Sequence, residues 1–204
     1  MCKMNSRSIW LKTSGVCGVL TSIIAFGCIF SAIASYPKFN WMSNALSDLG
    51  VVEGITAPLF NFGLIISGIL ALVFATGLLT FINGEVVSTL STVAFVLTAL
   101  ALTAIGIFPE NVKPAHYYAS VAFFLLSIVS MIIVGVNFLI TAKVKVGLLA
   151  LLMAAIAATT WITYFVTHFV EGVAIPEAIS ALSVSTVSMI LGFKMLKDAT
   201  LSSS

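Results

Sequence analysis

Five stretches of this chain, residues 13–35, 57–82, 86–108, 117–142 and 146–167, contain no Asp, Glu, Lys or Arg. A helix rises about 1.5 Å per residue and needs about 20 apolar residues to cross the hydrocarbon of a bilayer, so each stretch is long enough to span one. A sixth stretch, 178–193, has only 16 uncharged residues. It reaches spanning length if it runs from 173 to 195, which places Glu177 inside one boundary and lets Lys194 snorkel out at the other. These runs are continuous and lack the two-residue alternation of a barrel strand. The expected fold class is therefore all-α: a polytopic membrane protein, residues 1–204 forming a single membrane domain and one bundle of six transmembrane helices. Their expected bounds are about 13–35, 57–82, 86–108, 117–142, 146–167 and 173–195.

Composition excludes the common soluble alternatives. The chain is 60% hydrophobic and 8% charged, where a soluble domain carries about 25% charged residues. So few bases cannot track a phosphate backbone, and no nucleic-acid partner is expected. The first run carries Ala32-Ile33-Ala34, which looks like a signal-peptidase site. At 23 residues it is nevertheless longer than the roughly 7–15 of a signal core, and it reads as a retained span. Cys2, Cys17 and Cys28 form no motif. Cys17 and Cys28 share a face of the first helix, too far apart for a disulfide, and read as packing residues.

Lysine and arginine set the expected orientation. Lys3, Arg7, Lys12, Lys143, Lys145, Lys194 and Lys197 fall on one side of the bundle, and only Lys38 and Lys113 on the other. The positive-inside rule places both termini in the cytoplasm of a cell-membrane protein. Trp10 on the inner flank, and Trp41, Tyr117, Tyr118 and Tyr164 on the outer, suit interfacial belts. The acids run the other way. Asp48, Glu53, Glu110, Glu171 and Glu177 fall outside with His116 and His168, leaving Glu85 and Asp198 inside.

The inner connections, Asn83-Gly84-Glu85 and Ala142-Lys143-Val144-Lys145, are tight enough to make the second and third helices, and the fourth and fifth, antiparallel neighbours. Small residues recur at Ala150, Ala154 and Ala158, and again at Ala178, Ala181, Ser185, Ser188 and Gly192. Such stripes allow the close approach that holds helices together in lipid. They place the fifth and sixth helices inside the bundle or tightly against each other, and they would equally serve a homodimer seam.

Residues 40–49 pattern as an interfacial helix, with Asn44, Ser47 and Asp48 on one face, Met42, Ala45, Leu46 and Leu49 on another, and Gly50 as a left-handed stop. Asn61, about one turn into the second helix, needs a hydrogen-bond partner, for which Asp48 or Asn44 is placed. His116 opens the fourth helix with Ser120 one turn on. His168 and Glu171 share a face at the outer end of the fifth. Glu177 opens the sixth, where the helix dipole favours its charge and burial opposes it.

Together Asn44, Ser47, Asp48, Asn61, His116, His168, Glu171 and Glu177 define a candidate pocket at the outer mouth. His116, His168 and a carboxylate (Glu171, Asp48 or Glu177) could ligate a divalent metal and a water, the chemistry of a membrane-interface hydrolase. No His-Glu-x-x-His or cysteine pair supports that set.

The segment Asn44-Ala45-Leu46-Ser47-Asp48-Leu49-Gly50, followed by Pro58-Leu59-Phe60-Asn61-Phe62-Gly63 and by Phe108-Pro109-Glu110 with His116, resembles the signature of the domain-of-unknown-function 998 family. The resemblance covers nearly the whole chain in order and spacing. It implies a six-helix membrane protein of archaeal and bacterial type, and no activity. It makes Asn44, Ser47, Asp48, Asn61, Pro109 and His116 motif positions without assigning them roles.

Three functions remain open on the sequence. The pocket could bind or act on a lipid headgroup or other amphiphile. The chain could be a non-catalytic accessory subunit of a membrane complex, its outer polar residues only fixing loops. It could also pass a neutral or apolar molecule. Proton- or ion-coupled transport is disfavoured, because none of the first five spans carries a midplane charge. The orientation is directly testable: a fluorescent-protein fusion after Ser204 is expected to fluoresce and an alkaline-phosphatase fusion there to be inactive, the reverse outcome inverting the topology.

Overall fold

With no water in the hydrocarbon to satisfy backbone groups, a spanning chain must bond every amide within its own helix, and six helices do so here. The computed structural model describes residues 6–82 and 84–201; Cys2, Lys3 and Asn83 of the sequence reading lie outside the described residues. The helices are α1 (Ser6–Ala34), α2 (Thr56–Phe81), α3 (Glu85–Ile107), α4 (Ala115–Ile140), α5 (Val144–Thr167) and α6 (Ala174–Leu201). All six are long and apolar enough to cross a membrane, and no strand occurs among the described residues. Each expected span coincides with one helix. α1 and α6 run several residues beyond the apolar stretches, because polar turns prolong a helix once lipid no longer limits its composition.

Successive helices pack side by side, and α6 returns to α1, so the six close into a ring. The start of α1 and the end of α6 lie at one end of it. There the Ser8 hydroxyl donates to the Ala199 carbonyl at 2.8 Å, and the Arg7 guanidinium to the Thr80 carbonyl at 3.2 Å. Lys143 Nζ lies over the Phe81 and Phe138 rings, 5.6 and 5.4 Å from their centroids. The opposite end, called here the acidic end, carries the connections 35–55, 108–114 and 168–173.

Side chains between helices are small where the axes cross closely, since lipid gives helices no hydrophobic reason to associate and packing must hold them. At the α1–α6 crossing, a Cβ on Gly15 would lie 2.7 Å from the Gly192 carbonyl oxygen, and one on Gly192 2.7 Å from that of Gly15. Gly135 and Gly147 do the same for α4 and α5, at 3.1 and 2.8 Å. The α5 stripe is buried at Ala150, Ala154 and Ala157, with Ala158 only partly covered. The α5 face bearing Leu152, Ile162, Phe165 and Val166 is exposed to the lipid position. Many hydroxyls within the spans bond back to their own helices, as Thr98 to Ala94, Thr103 to Ala99, Ser130 to Leu126 and Thr160 to Ile156, whereas those of Ser14, Ser67, Ser91, Thr92 and Ser180 are buried without a partner.

The expected interfacial helix at 40–49 is not formed. The connection is a series of turns ending in a short 3-10 helix, Ser47–Val51. Its polar side chains take the amides that a helix would have used. Asn40 Oδ1 accepts from the Met42 amide, Asn44 Oδ1 from the Asn40 amide, and Asp48 Oδ2 from the Ala45 amide and the Asn44 side chain, all within 2.7–2.9 Å. Gly50 is not a left-handed stop; the positive-φ glycines among the described residues are Gly54 and Gly84. Gly50 serves close approach instead, because a Cβ there would lie 2.6 Å from Asn61 Oδ1.

Forcing bulk into the α1–α6 crossing should cost about 1–3 kcal/mol, the range for overpacking a filled interior. Gly192→Val is therefore expected to lower the melting temperature of the purified chain in detergent. Gly27→Val, whose Cβ would meet open space, should leave it within error. Equal melting of the two variants would contradict the assigned crossing.

Candidate functional site

Two connections at the acidic end are laced together. The Gly172 amide donates to the Met42 carbonyl at 2.8 Å and the Ala174 amide to the Asn44 carbonyl at 2.9 Å. Gly172 must lack a side chain for this, since a Cβ would sit 2.3 Å from the Asn44 oxygen. Two residues further along the first connection, the Leu46 amide donates to Glu177 Oε2 at 2.6 Å. The Ser47 amide also supports that carboxylate. Glu177 lies in the first turn of α6, where the helix dipole favours a negative side chain. It is 8% exposed.

Beneath this roof lies a cavity of about 90 Å³ lined by α1, α2, α3, α4 and α6. Its walls are largely apolar and include Phe60, Leu64, Phe74, Phe95, Phe123 and Ala181; Ser47, Ser120 and Glu177 line the roofed end, and the hydroxyl residues Thr21, Ser22, Thr98, Ser185 and Ser188 lie along the rest. Glu177 and Ser188 both line it, so it extends about 16 Å along α6 at the helical rise. A cavity needs only about 10–15 Å³ on this scale to hold one water, so the space admits a larger guest.

His116 is buried at 7% exposure, and both ring nitrogens are engaged. Nδ1 lies 2.7 Å from the Phe108 carbonyl, which can only accept, so Nδ1 carries a proton. Nε2 lies 3.3 Å from the Ser120 hydroxyl. The ring thus ties the end of α3 to the start of α4 and orients Ser120 at the cavity wall. Asn61 ties loop to bundle as expected, but through a different partner: its Nδ2 donates to the Gly50 carbonyl at 2.9 Å, while Oδ1 is buried without a donor. Asp48 and Asn44 are instead committed to each other.

His168 and Glu171 are not part of this assembly. Both are exposed. His168 caps α5 in the left-handed conformation at φ 47°, with its ring 5.9 Å from that of Tyr164. Among the described residues no three His, Cys, Asp or Glu side chains come together in a way that could hold a metal ion. The set His116, His168 and Glu171 is therefore not brought together, because one histidine faces inward onto a carbonyl and the other lies on the surface.

Glu110 belongs to the site and was passed over in the sequence reading of the pocket. It lies in the α3–α4 connection, half-buried, within hydrogen-bonding reach of Asp48 and of the Ser47 hydroxyl. Its Oε2 is buried with no donor facing it. Two carboxylates meeting as acceptors cannot bond until one holds a proton, and they cannot easily both be charged. The proton falls on Glu110. Burial first, then the hydrogen bond and the charge of Asp48, push its carboxyl from its ordinary 4.5 up to about 7, against the opposing pull of Lys113 and Ser47. For Asp48 burial acts upward, but hydrogen bonds from Glu110, Asn44 and the Ala45 amide outweigh it and hold the carboxyl below its ordinary 3.8. The two titrate as a pair. The signal available in the sequence was the placement of Glu110 beside Pro109 in the same motif as His116.

The raised Glu110 holds a proton in the folded chain between 4.5 and about 7, where the unfolded chain has released it. Stability therefore falls as pH rises through that window. Asp48 acts in the opposite sense: its contribution is present above 3.8 and is lost only as pH falls below it. The melting temperature is expected to drop between about pH 5 and about pH 8. Glu110→Gln should flatten that slope and melt higher at the upper pH. An unchanged slope in Glu110→Gln would remove the shared proton.

Compared with known proteins, the chain matches one family model, described as "Protein of unknown function (DUF998)", over residues 19–194. The match covers most of the chain, which therefore belongs to the DUF998 family. No curated protein and no solved structure matches the chain significantly.

Proposed function

We propose that this DUF998 protein binds a membrane amphiphile at the acidic end of its bundle, the apolar tail inside the cavity and the head group beneath the roof. The supporting observation is the junction of two environments in one space. Phenylalanine, leucine and alanine side chains line most of the cavity, and Ser47, Ser120 and Glu177 line its roofed end. Ligand sites combine largely apolar walls with a few fixed polar groups in this way. The excess of lysine and arginine at the termini end supports an orientation in which the acidic end faces out of the cell. An amphiphile would then enter from the outer leaflet with its head already at the height of Glu177. Asn44, Ser47, Asp48, Asn61 and His116 shape the site by fixing the roof, while Glu177 and Ser120 meet the guest.

Native mass spectrometry of the chain purified gently from membranes is expected to show one bound amphiphile. Ala181 lines the cavity, so Ala181→Phe should abolish the adduct. Leu182→Phe, on the half-exposed neighbouring position, should retain it. Adducts of equal abundance in all three proteins would place the lipid on the outer surface and end this reading.

A further inference from the structure

The polar groups at the roofed end of the cavity are each able to present an acceptor to the space within it. Nδ1 carries the proton facing the Phe108 carbonyl, so Nε2 is the ring nitrogen able to accept. The Ser120 hydroxyl then donates to Nε2, and only its oxygen lone pairs are left for the cavity. Ser47 behaves alike. Its hydroxyl lies within hydrogen-bonding reach of the Glu110 carboxyl and can donate to it, leaving its own oxygen as an acceptor. Glu177 takes amide protons from the roof, at 2.6 Å from Leu46 and from Ser47. A carboxylate offers about four lone-pair directions, so two amides do not exhaust it.

Charge is unbalanced in the same direction. The ionisable neighbours of Glu177 are Asp48 and Glu110, two acids that share a proton and so bring it no positive charge. Among the described residues no lysine, arginine or histidine lines the cavity. A carboxyl buried without a cation is costly to ionise, and this one borders an open space instead of packed side chains. A guest that brings a positively charged donor would supply the partner that lets it ionise.

We propose that the head group held at this site is a protonated amine, so that the ligand is a single-tailed alkylammonium amphiphile with its nitrogen at Glu177 and Ser120 and its tail directed toward Phe74. This rests on the amphiphile reading above and adds to it the charge and hydrogen-bonding character of the head. A primary ammonium has three donors, which suit the lone pairs of Glu177, Ser120 and Ser47. An alcohol supplies one donor and no charge. A carboxylate or phosphate head would bring acceptors to acceptors, with like charges facing each other.

The test uses the full chain in phosphatidylcholine liposomes and a dodecylamine carrying a diazirine on its tail. Photolabelling is expected on cavity peptides containing Phe60, Leu64 or Phe123. Unlabelled dodecylamine should compete about tenfold better, per mole in the membrane, than dodecan-1-ol, the scale of a charge-assisted bond over a neutral one. Dodecanoate should compete worst. Glu177→Gln should weaken amine competition about tenfold more than it weakens that of the alcohol. The competition series on the unaltered chain stands by itself even where Glu177→Gln fails to assemble. Equal competition by amine, alcohol and carboxylate would overturn the amine inference and leave the amphiphile reading intact. Labelling confined to lipid-facing positions, with no competition, would overturn both.

Discussion

The bond between the Leu46 amide and the Glu177 carboxylate joins elements 131 residues apart, and the acidic end of the bundle depends on it. α1 and α2 are joined by a long connection that would otherwise lie loose on the membrane surface. Glu177 sits where the unpaired amides of the α6 N-terminus favour a negative charge, and it passes that favourable position on to the loop. The Gly172 and Ala174 amides extend the seam by two backbone bonds. The connection thereby becomes a roof, held from α6 on one side and from α2, through Asn61 and Gly50, on the other. Buried backbone groups that water cannot reach must find such partners.

The cavity below follows from how the helices associate. Close crossings in lipid require small residues, and small residues leave space wherever the facing helix does not fill it. α6 presents Ala181, Ser185 and Ser188 toward the centre, and α1 presents Ser22 and Ala25. At the Gly15–Gly192 crossing the backbones themselves meet and close the gap. Nearer the acidic end the facing residues are Phe60, Leu64 and Phe123 from α2 and α4, which wall the space without filling it. One composition thus yields both a tight seam and a void.

How much of this could be read from the sequence depends on the range of the interaction. The six spans were legible because hydrophobic run length is a local property with a fixed physical threshold. The antiparallel neighbours followed from the short connections, and the gathering of acids at one end from simple position. The 40–49 segment was misread because its amphipathic pattern is real, yet Asn40, Asn44 and Asp48 capture nearby amides before a helical ladder can form. His116 and His168 look equivalent on paper. They separate only when one meets the Phe108 carbonyl and the other terminates a helix in the open. Glu110 gave no periodicity to notice, and its partner Asp48 lies 62 positions away. Pairing of that kind is a tertiary fact.

The residues that carried the family resemblance now have a common location. Asn44 and Asp48 fold the first connection, Ser47 stands between Glu110 and the cavity, Asn61 holds Gly50, and His116 anchors the turn that begins at Phe108 and Pro109. All of them build or brace the roof, and none lies among the deep apolar walls. A membrane protein needs no such device merely to close a loop, since loops at the surface can bond to water. The side chains are spent on orienting one another, so that hydroxyls and a carboxyl group face a largely apolar space with fixed polarity. Fixed polarity over an apolar cavity is what recognition of an amphiphile requires, and it is a property that the six spans alone would not create.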